Sequence, residues 1–317
     1  MLTLFLCMTV GFILKKAKIL PDDAGKVMAK IETWIFCPAL SFMTMVRFCT
    51  IDTLTVHAPN VILGCILVAI AMAMAIFLSR FFVKEKSPER GVYQYALTFA
   101  NCGYVGDPII IALFGDAILA QYKLFSLPLT LLIYTWGISV LTPESKGSAW
   151  KRLLNPPTIA MFCGIVAGLL GLGTRLPVFF SSALDSLKSG MGPVAMLLAG
   201  VTVARYNFVG MLKKKKVYIA TALRLVFLPA VLIGALYGLK TLAGQLLHFP
   251  IGNDVLFLCF FAYATPLGLN TVVFPEAYGG NPETGASMAM ISHALCVISI
   301  PVLYAVMVAF FGTPFAT

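Results

Sequence analysis

The chain has 317 residues, of which 60% are hydrophobic and only 11% charged, with a mean hydropathy of +0.93 and a formal net charge of +10. A soluble globular domain has roughly a quarter of its residues charged, so this composition excludes a water-covered fold and points to a polytopic membrane protein. The basic residues sit in short clusters between apolar runs, without interleaved aromatics, which argues against nucleic acid as a partner and reads as topology signalling.

Ten apolar spans follow in chain order. The first, Leu2–Leu14, is short for a hydrocarbon core of about 30 Å. Either Lys15, Lys16 and Lys18 snorkel to extend it, or it begins inside a helix that is longer in related proteins. It is not a signal peptide, because its charges follow the apolar run and no small-residue cleavage site is visible. Ile31–Val46, Ala58–Phe82, Val92–Phe114 and Leu119–Leu141 complete the first half. The second half offers Pro157–Leu172, Ser182–Ala204, Val217–Leu239, Asp254–Tyr278 and Gly285–Phe311.

Two of these spans are interrupted in matching positions. The fourth contains Asn101-Cys102-Gly103-Tyr104-Val105-Gly106-Asp107-Pro108, and the ninth contains Pro266-Leu267-Gly268-Leu269-Asn270 followed by Pro275. Lipid offers no partner for freed N–H and C=O groups, so such breaks survive only against protein or a wet cavity. A pair of them in corresponding halves points to a transporter's binding site.

The loops assign orientation. One set of alternate loops holds seventeen of the 23 basic residues, among them Lys15, Lys16, Lys18, Lys26, Lys30, Arg80, Lys84, Lys86, Arg90, Lys146, Lys151, Arg152, Arg205 and Lys213 to Lys216. Cytoplasmic loops carry such an excess, so both termini face outward. Lys213 to Lys216 read first as a topology anchor, with anionic membrane lipid as the second reading. Ten spans with a basic loop in the middle divide into residues 1–141, a cytoplasmic linker at 142–156, and residues 157–317. An odd number of spans per repeat inserts the second repeat upside down. The parallel between Pro38-Ala39-Leu40-Ser41 and Pro193-Val194-Ala195-Met196 agrees with that order.

At these residues the chain resembles the auxin efflux carrier family, which includes the plant PIN auxin carriers and bacterial malate and malonate permeases. The resemblance runs nearly end to end. It is carried by Cys37-Pro38-Ala39-Leu40-Ser41-Phe42, by Asn101 through Gly106-Asp107-Pro108 to Phe114-Gly115, and by Asn155-Pro156. Gly192-Pro193 and Pro266, Gly268 and Phe274-Pro275-Glu276-Ala277-Tyr278 complete it. The resemblance implies ten helices in two inverted repeats, with broken helices 4 and 9 crossing at their breaks. It also implies a scaffold from helices 1, 2, 6 and 7, a mobile transport domain from helices 3–5 and 8–10, and a homodimer. The first helix starts several residues later here than in typical members.

The chemistry of the breaks follows from the residues themselves. Pro108 and Pro275 lack a donor and crowd the preceding turn, so helices entering them break or kink. Gly103, Gly106 and Gly268 permit unusual dihedrals and close backbone approach. Half-helix N-termini then present free N–H groups and a positive dipole end, a natural site for a carboxylate. Asn101 and Asn270 add uncharged donors, with Cys102 and Pro266 beside them. Ser41, Gly192 and Pro193 are the scaffold-side residues expected to face the substrate.

Charged residues near the spans need separate weighing. An ionisable residue at membrane depth is costly and usually functional, so Asp107 binds a cation, carries a proton, pairs with a base, or caps a helix. Its charge would repel a substrate carboxylate, which places it in a supporting shell. His293 reads first as a hydrogen-bonded packing residue and second as a titrating group. Arg224 either snorkels or pairs with an acid, and Glu276 reads as a solvated rim residue. Gly164-x-x-x-Gly168 is a packing pattern too common to carry weight alone. The eight cysteines form no C-x-x-C pair and read as small apolar packing residues.

The expectation is therefore an all-α secondary carrier for a small organic anion, working by elevator-type alternating access, with no enzymatic activity, cofactor or bound metal. Coupling to a proton or to sodium stays open. A receptor for a small organic acid without net transport is the alternative. Gly-x-Ser-x-Gly, His-Glu-x-x-His and P-loop motifs are absent, as are a convincing second acid for an aspartyl protease and a filter-like segment for a channel.

Overall fold

The computed structural model describes residues 2–85, 87–142, 154–205, 210, 213–246 and 251–315. Most of the linker at 142–156, with Lys146, Lys151 and Arg152, lies outside the described residues, as does Lys86.

Helix α1 spans Leu2–Lys16. The Nζ of Lys15, near its end, donates to the exposed Asp22 Oδ1 at 2.6 Å and to Pro21 O at 3.1 Å, closing the following loop. Helix α2, Ala24–Ile31, passes through a π turn at Glu32–Phe36 into α3, Cys37–Phe48. Pro38 has no N–H for the carbonyl one turn back, and the widened turn before it absorbs that loss. Helix α4, Ile51–Phe82, begins in a reciprocal cap between Thr50 and Thr53 and kinks at His57, two residues before Pro59.

Helix α5, Pro88–Thr98, is capped by Ser87 and ends in extended backbone at Phe99. A π turn at Cys102–Gly106 leads into α6, Asp107–Phe125, which is interrupted at Gly115, where φ is 79°. That left-handed backbone suits glycine and separates the fourth predicted span from the fifth. Residues Ala117–Phe125 then meet Leu127–Leu141 at a 52° bend. The latter segment contains α7, Leu127–Leu132, a π turn at Ile133–Gly137, and α8, Ile138–Leu141.

In the second half, α9 spans Pro156–Leu169 and starts on the Asn155 side chain, which accepts from the Thr158 N–H at 3.0 Å. Helix α10, Val178–Arg205, runs unbroken through Pro193. Next come α11, Lys215–Ala222, a π turn at Leu223–Phe227, and α12, Leu228–Leu246. Helix α13 is Asp254–Tyr263, α14 is Asn270–Tyr278, and α15 is Pro282–Phe311.

Among the described residues, four helices are long and apolar enough to cross a membrane: Ile51–Phe82, Val178–Arg205, Lys215–Gln245 and Pro282–Phe311. The bent pair at 117–141 makes a fifth if counted as one span. The remaining segments are shorter or interrupted. Along the C-terminal half of α15, Leu295, Ile298, Val302, Val306 and Phe310 are exposed at helical spacing, which gives an apolar stripe suited to lipid. By contrast, every residue from Val255 to Glu276 is buried, so the second interruption lies in the interior of the fold.

Three packing details go beyond the sequence reading. Gly164 and Gly168 do set a helix contact: a Cβ would lie 2.7 Å from Phe42 O at the first and 2.6 Å from Cys49 O at the second, so α9 and α3 touch backbone to backbone. The lysine run is partly engaged by the fold. Lys214 pairs with Glu283 at 2.5 Å, and Lys216 Nζ donates to Phe82 O at 2.7 Å, placing a cation at the carbonyl end of α4. The cysteines stand as separate thiols, and Cys65 and Cys163 are exposed, not packed.

Candidate functional site

The two interrupted segments meet. Ala100 and Leu267 form an antiparallel β-bridge, and the Asn101 N–H donates to Pro266 O at 2.8 Å. The Leu267 N–H donates to Ser292 Oγ of α15 at 3.2 Å. These main-chain groups of the breaks are therefore satisfied by the other break or by a side chain of a neighbouring helix, within the protein itself.

Beyond the bridge both chains return to helix. Asn101 O accepts from the N–H groups of Val105 and Gly106 at 3.1 and 3.2 Å, and Leu269 O accepts from Val272 and Val273 at 2.8 and 3.1 Å. The first-turn N–H groups at each start have no intrahelical acceptor, which leaves positive dipole ends beside the crossing. The break in the ninth span lies at residues 264–269, around Pro266 and Gly268, and not at Pro275, which sits inside α14. The carbonyl that loses a partner to Pro275 is that of Thr271, in the first turn of a nine-residue helix, so the loss is local. Pro108 likewise occupies the N-terminal turn of α6 and starts a helix.

The glycines act through proximity. Gly103, Gly106 and Gly268 are absent from the left-handed region, contrary to the expectation of unusual dihedrals. A Cβ on Gly106 would lie 2.3 Å from the Tyr122 hydroxyl, whereas Gly103 has open space around it. The Tyr122 hydroxyl serves the carbonyls of Cys102 at 3.1 Å and Phe261 at 3.3 Å, so Gly106 makes room for a clamp between the two broken spans.

A cavity with about 50 Å³ open to the centre of a water molecule lies at this crossing. Asn101, Cys102, Gly103, Gly268 and Asn270 line it from the breaks, and Ser41 lines it from α3. Thr44, Lys123, Tyr134 and Met191 also line it. Among the described residues, two buried polar atoms of the walls have no hydrogen-bond partner, Thr44 Oγ1 and Asn270 Oδ1. The cavity is wide enough for a few waters or a small polar group.

The two asparagines are held from opposite directions. His293 Nδ1 donates to Ala289 O at 2.7 Å, because a carbonyl only accepts; Nε2 is then the acceptor for Asn101 Nδ2 at 3.1 Å. Both ring nitrogens are thus engaged. Asn270 Nδ2 donates to the Tyr95 hydroxyl at 3.1 Å, leaving Oδ1 unpartnered. Turning that amide by 180° keeps the bond, with Tyr95 donating, and offers the NH₂ group to the cavity. An anion in the cavity favours the turned form.

Other predicted residues stand elsewhere. Gly192 is not in the cavity wall and Pro193 is exposed; Met191 is the residue of that stretch that reaches the cavity. Asp107 is buried and pairs with Lys123, while its Oδ1 has no partner. Arg224 neither snorkels nor pairs with an acid. It is 0% exposed, its three guanidinium nitrogens lack partners among the described residues, and it lies within electrostatic reach of Tyr263 and Cys102. Glu276 is not a solvated rim residue: it is buried, and it accepts from Arg205 at 2.7 Å and Thr202 at 3.4 Å. Lys123 escapes a motif-based reading, yet a lone lysine within the predicted fifth span is the same signal that singles out Asp107. It gives the cavity a cation of its own.

The family model described as membrane transport protein matches residues 1–149 and 142–304. An uncharacterized transporter of Methanocaldococcus jannaschii is 25% identical over 211 residues, covering 64% of this chain and 68% of that relative.

Proposed function

We propose, from the premise that this chain belongs to the membrane transport protein family, the auxin efflux carrier family of the resemblance above, that it carries a small organic anion across the cell membrane by elevator-type alternating access. In this reading ten spans form two inverted repeats, both termini face outward, and the protein is a homodimer. Helices α5 to α8 and α11 to α15, with α4, carry the crossing past a scaffold of α1, α2, α3, α9 and α10.

The observation that supports this most is the junction itself: Asn101 bonded to Pro266, beside a cavity lined by both asparagines and Lys123. Two helix starts, amide groups and one ammonium suit a carboxylate better than a neutral or cationic ligand. Were the anion to cross without a compensating cation, an inside-negative potential would favour outward movement by about 2.3 kcal/mol per charge per 100 mV. The deciding experiment reconstitutes the protein in liposomes and measures flux of radiolabelled acetate, malonate and indole-3-acetate down imposed gradients. Saturable flux of at least one is expected. Saturable binding without any flux would make the protein a receptor.

A further inference from the structure

Asp107 and Lys123 lie sixteen residues apart on α6, a separation of about 24 Å along a straight helix. The left-handed turn at Gly115 folds the second half of α6 back, and the two side chains form an ion pair. Lys123 also lines the cavity, whereas Asp107 stands behind it with Oδ1 buried and unpartnered. The cavity's cation is therefore already occupied by an acid of the protein.

The other groups facing this pair decide where a second negative charge is accommodated. Tyr122 comes from the same helix, Cys102 from the π turn, and Lys188 from α10 within electrostatic reach of both partners, while Tyr263 of α13 is in reach of Tyr122 and not of the pair itself. Arg224 stands behind Cys102. Beyond Lys188, Arg47 of α3 is engaged by Asp185 at 2.5 Å. On the α4 side, His57 and Gln121 line a separate cavity. Among the described residues, Asp107 is thus the one carboxyl group beside Lys123.

A substrate carboxylate that reaches Lys123 meets Asp107 at the same ammonium. Among the described residues Lys188 is within electrostatic reach of both but makes no ion pair with Asp107, and two carboxylates bonded to the one ammonium of Lys123 in a water-poor site do not both stay ionised. We propose, resting on the carrier reading above, that Asp107 is a resident counter-ion exchanged for substrate: the carboxylate takes Lys123 as Asp107 takes up one proton, and both leave together. The charges balance, since the pair Asp107⁻·Lys123⁺ plus RCOO⁻ and H⁺ becomes neutral Asp107 plus RCOO⁻·Lys123⁺. A monocarboxylate then crosses with one proton and carries no net charge. The unpartnered Oδ1 is the atom available to the proton.

The test uses full-length protein in liposomes loaded with a pH-reporting dye, with acetate and indole-3-acetate as probes. If neither is bound or carried, the carrier reading itself falls and this proposal with it. If one is carried, one proton per substrate is expected in the lumen, without current. Apparent affinity should weaken about tenfold per pH unit above the Asp107 titration. Asp107→Asn should abolish that slope, bind at least tenfold more tightly at high pH, and carry the substrate as a current. Lys123→Met should weaken binding at least tenfold at every pH. Where Asp107→Asn fails to insert, the neutral double variant Asp107→Asn with Lys123→Met serves, and its binding should be weak and independent of pH. Substrate moving as a full current without lumenal pH change, or a wild-type pH slope in either Asn variant, overturns the proposal.

Discussion

The main-chain N–H of Asn101 donates to the carbonyl of Pro266 at 2.8 Å, joining the two broken spans by a bond that no side-chain substitution at Asn101 removes. Pro266 has no N–H to offer in return, so the tie runs one way and the adjacent Leu267 N–H goes to Ser292 instead. The side chain of Asn101 consequently takes no part in that tie and is positioned separately, by His293. Backbone holds the crossing, and side chains furnish its cavity.

That division predicts that Asn101→Ala and Asn270→Ala leave folding largely intact while weakening substrate binding. Each loses a charge-assisted hydrogen bond of about 1.5–3 kcal/mol, or roughly tenfold to 150-fold in affinity. Binding of a transported carboxylate to purified protein, read by calorimetry, checks this. Wild-type affinity in both variants would remove the crossing as the substrate site.

Much of the crossing is legible in the amino-acid sequence, because a break at membrane depth can be satisfied only by protein or a cavity. Asn101, Cys102, Gly103, Gly268, Asn270 and Ser41 carry that signal and meet at one cavity. What is not legible depends on contacts distant in sequence. Lys123 comes to Asp107 only through the turn at Gly115, and Arg205 comes to Glu276 across two helices. Pro193 misleads because a proline tolerated inside a long helix looks, in sequence, the same as one that breaks it. Helix α13 is apolar all round beyond Asp254 and buried from Val255 onward, so no periodicity indicates which neighbour each of its faces meets.

The contrast between two neighbouring glycines gives a second prediction. Gly106→Ala places a methyl group 2.3 Å from the Tyr122 hydroxyl, which must leave the carbonyls of Cys102 and Phe261. A destabilisation of about 1–3 kcal/mol is expected. Gly103→Ala meets open space and should stay within about 0.5 kcal/mol of wild type. Thermal unfolding in detergent separates them, and equal midpoints would show that the Tyr122 clamp is not formed.

The Arg205–Glu276 pair links α10 to α14, which belong to scaffold and moving domain in the proposed cycle. Arg205 is 30% exposed, so the pair contributes modestly, about 1 kcal/mol or less. Glu276→Gln keeps the shape and removes the charge. Initial transport rates should rise as the latch loosens, while the unfolding midpoint falls only slightly. An unchanged rate would mean that α10 and α14 do not separate during transport.

Orientation is checked with single cysteines in a Cys-depleted background. One in the loop at Arg175 should react with an impermeant thiol reagent added outside intact cells, and one at Lys215 should react only after permeabilisation. The proposed orientation, with the basic loops cytoplasmic as the charge bias directs, requires this pattern. Reaction at Lys215 alone in intact cells would invert the assignment.

Arg224 makes the last prediction, because it is costly where it stands. A guanidinium with no exposure and, among the described residues, no partner for its three nitrogens has given up water and received no acid there in exchange. Replacing such a cation with an apolar side chain of similar volume removes the desolvation penalty, so Arg224→Met should stabilise the protein by about 1–4 kcal/mol. Its charge is within electrostatic reach of Cys102, which lines the cavity, so an acceptor gained during the proposed cycle would offset that cost. Arg224→Met should therefore raise the unfolding midpoint and slow transport together, whereas Arg224→Lys, which keeps the charge, should recover part of the rate. A lower midpoint in Arg224→Met would mean that the guanidinium is bonded in the resting protein, and a normal rate in the same variant would remove Arg224 from the transport cycle.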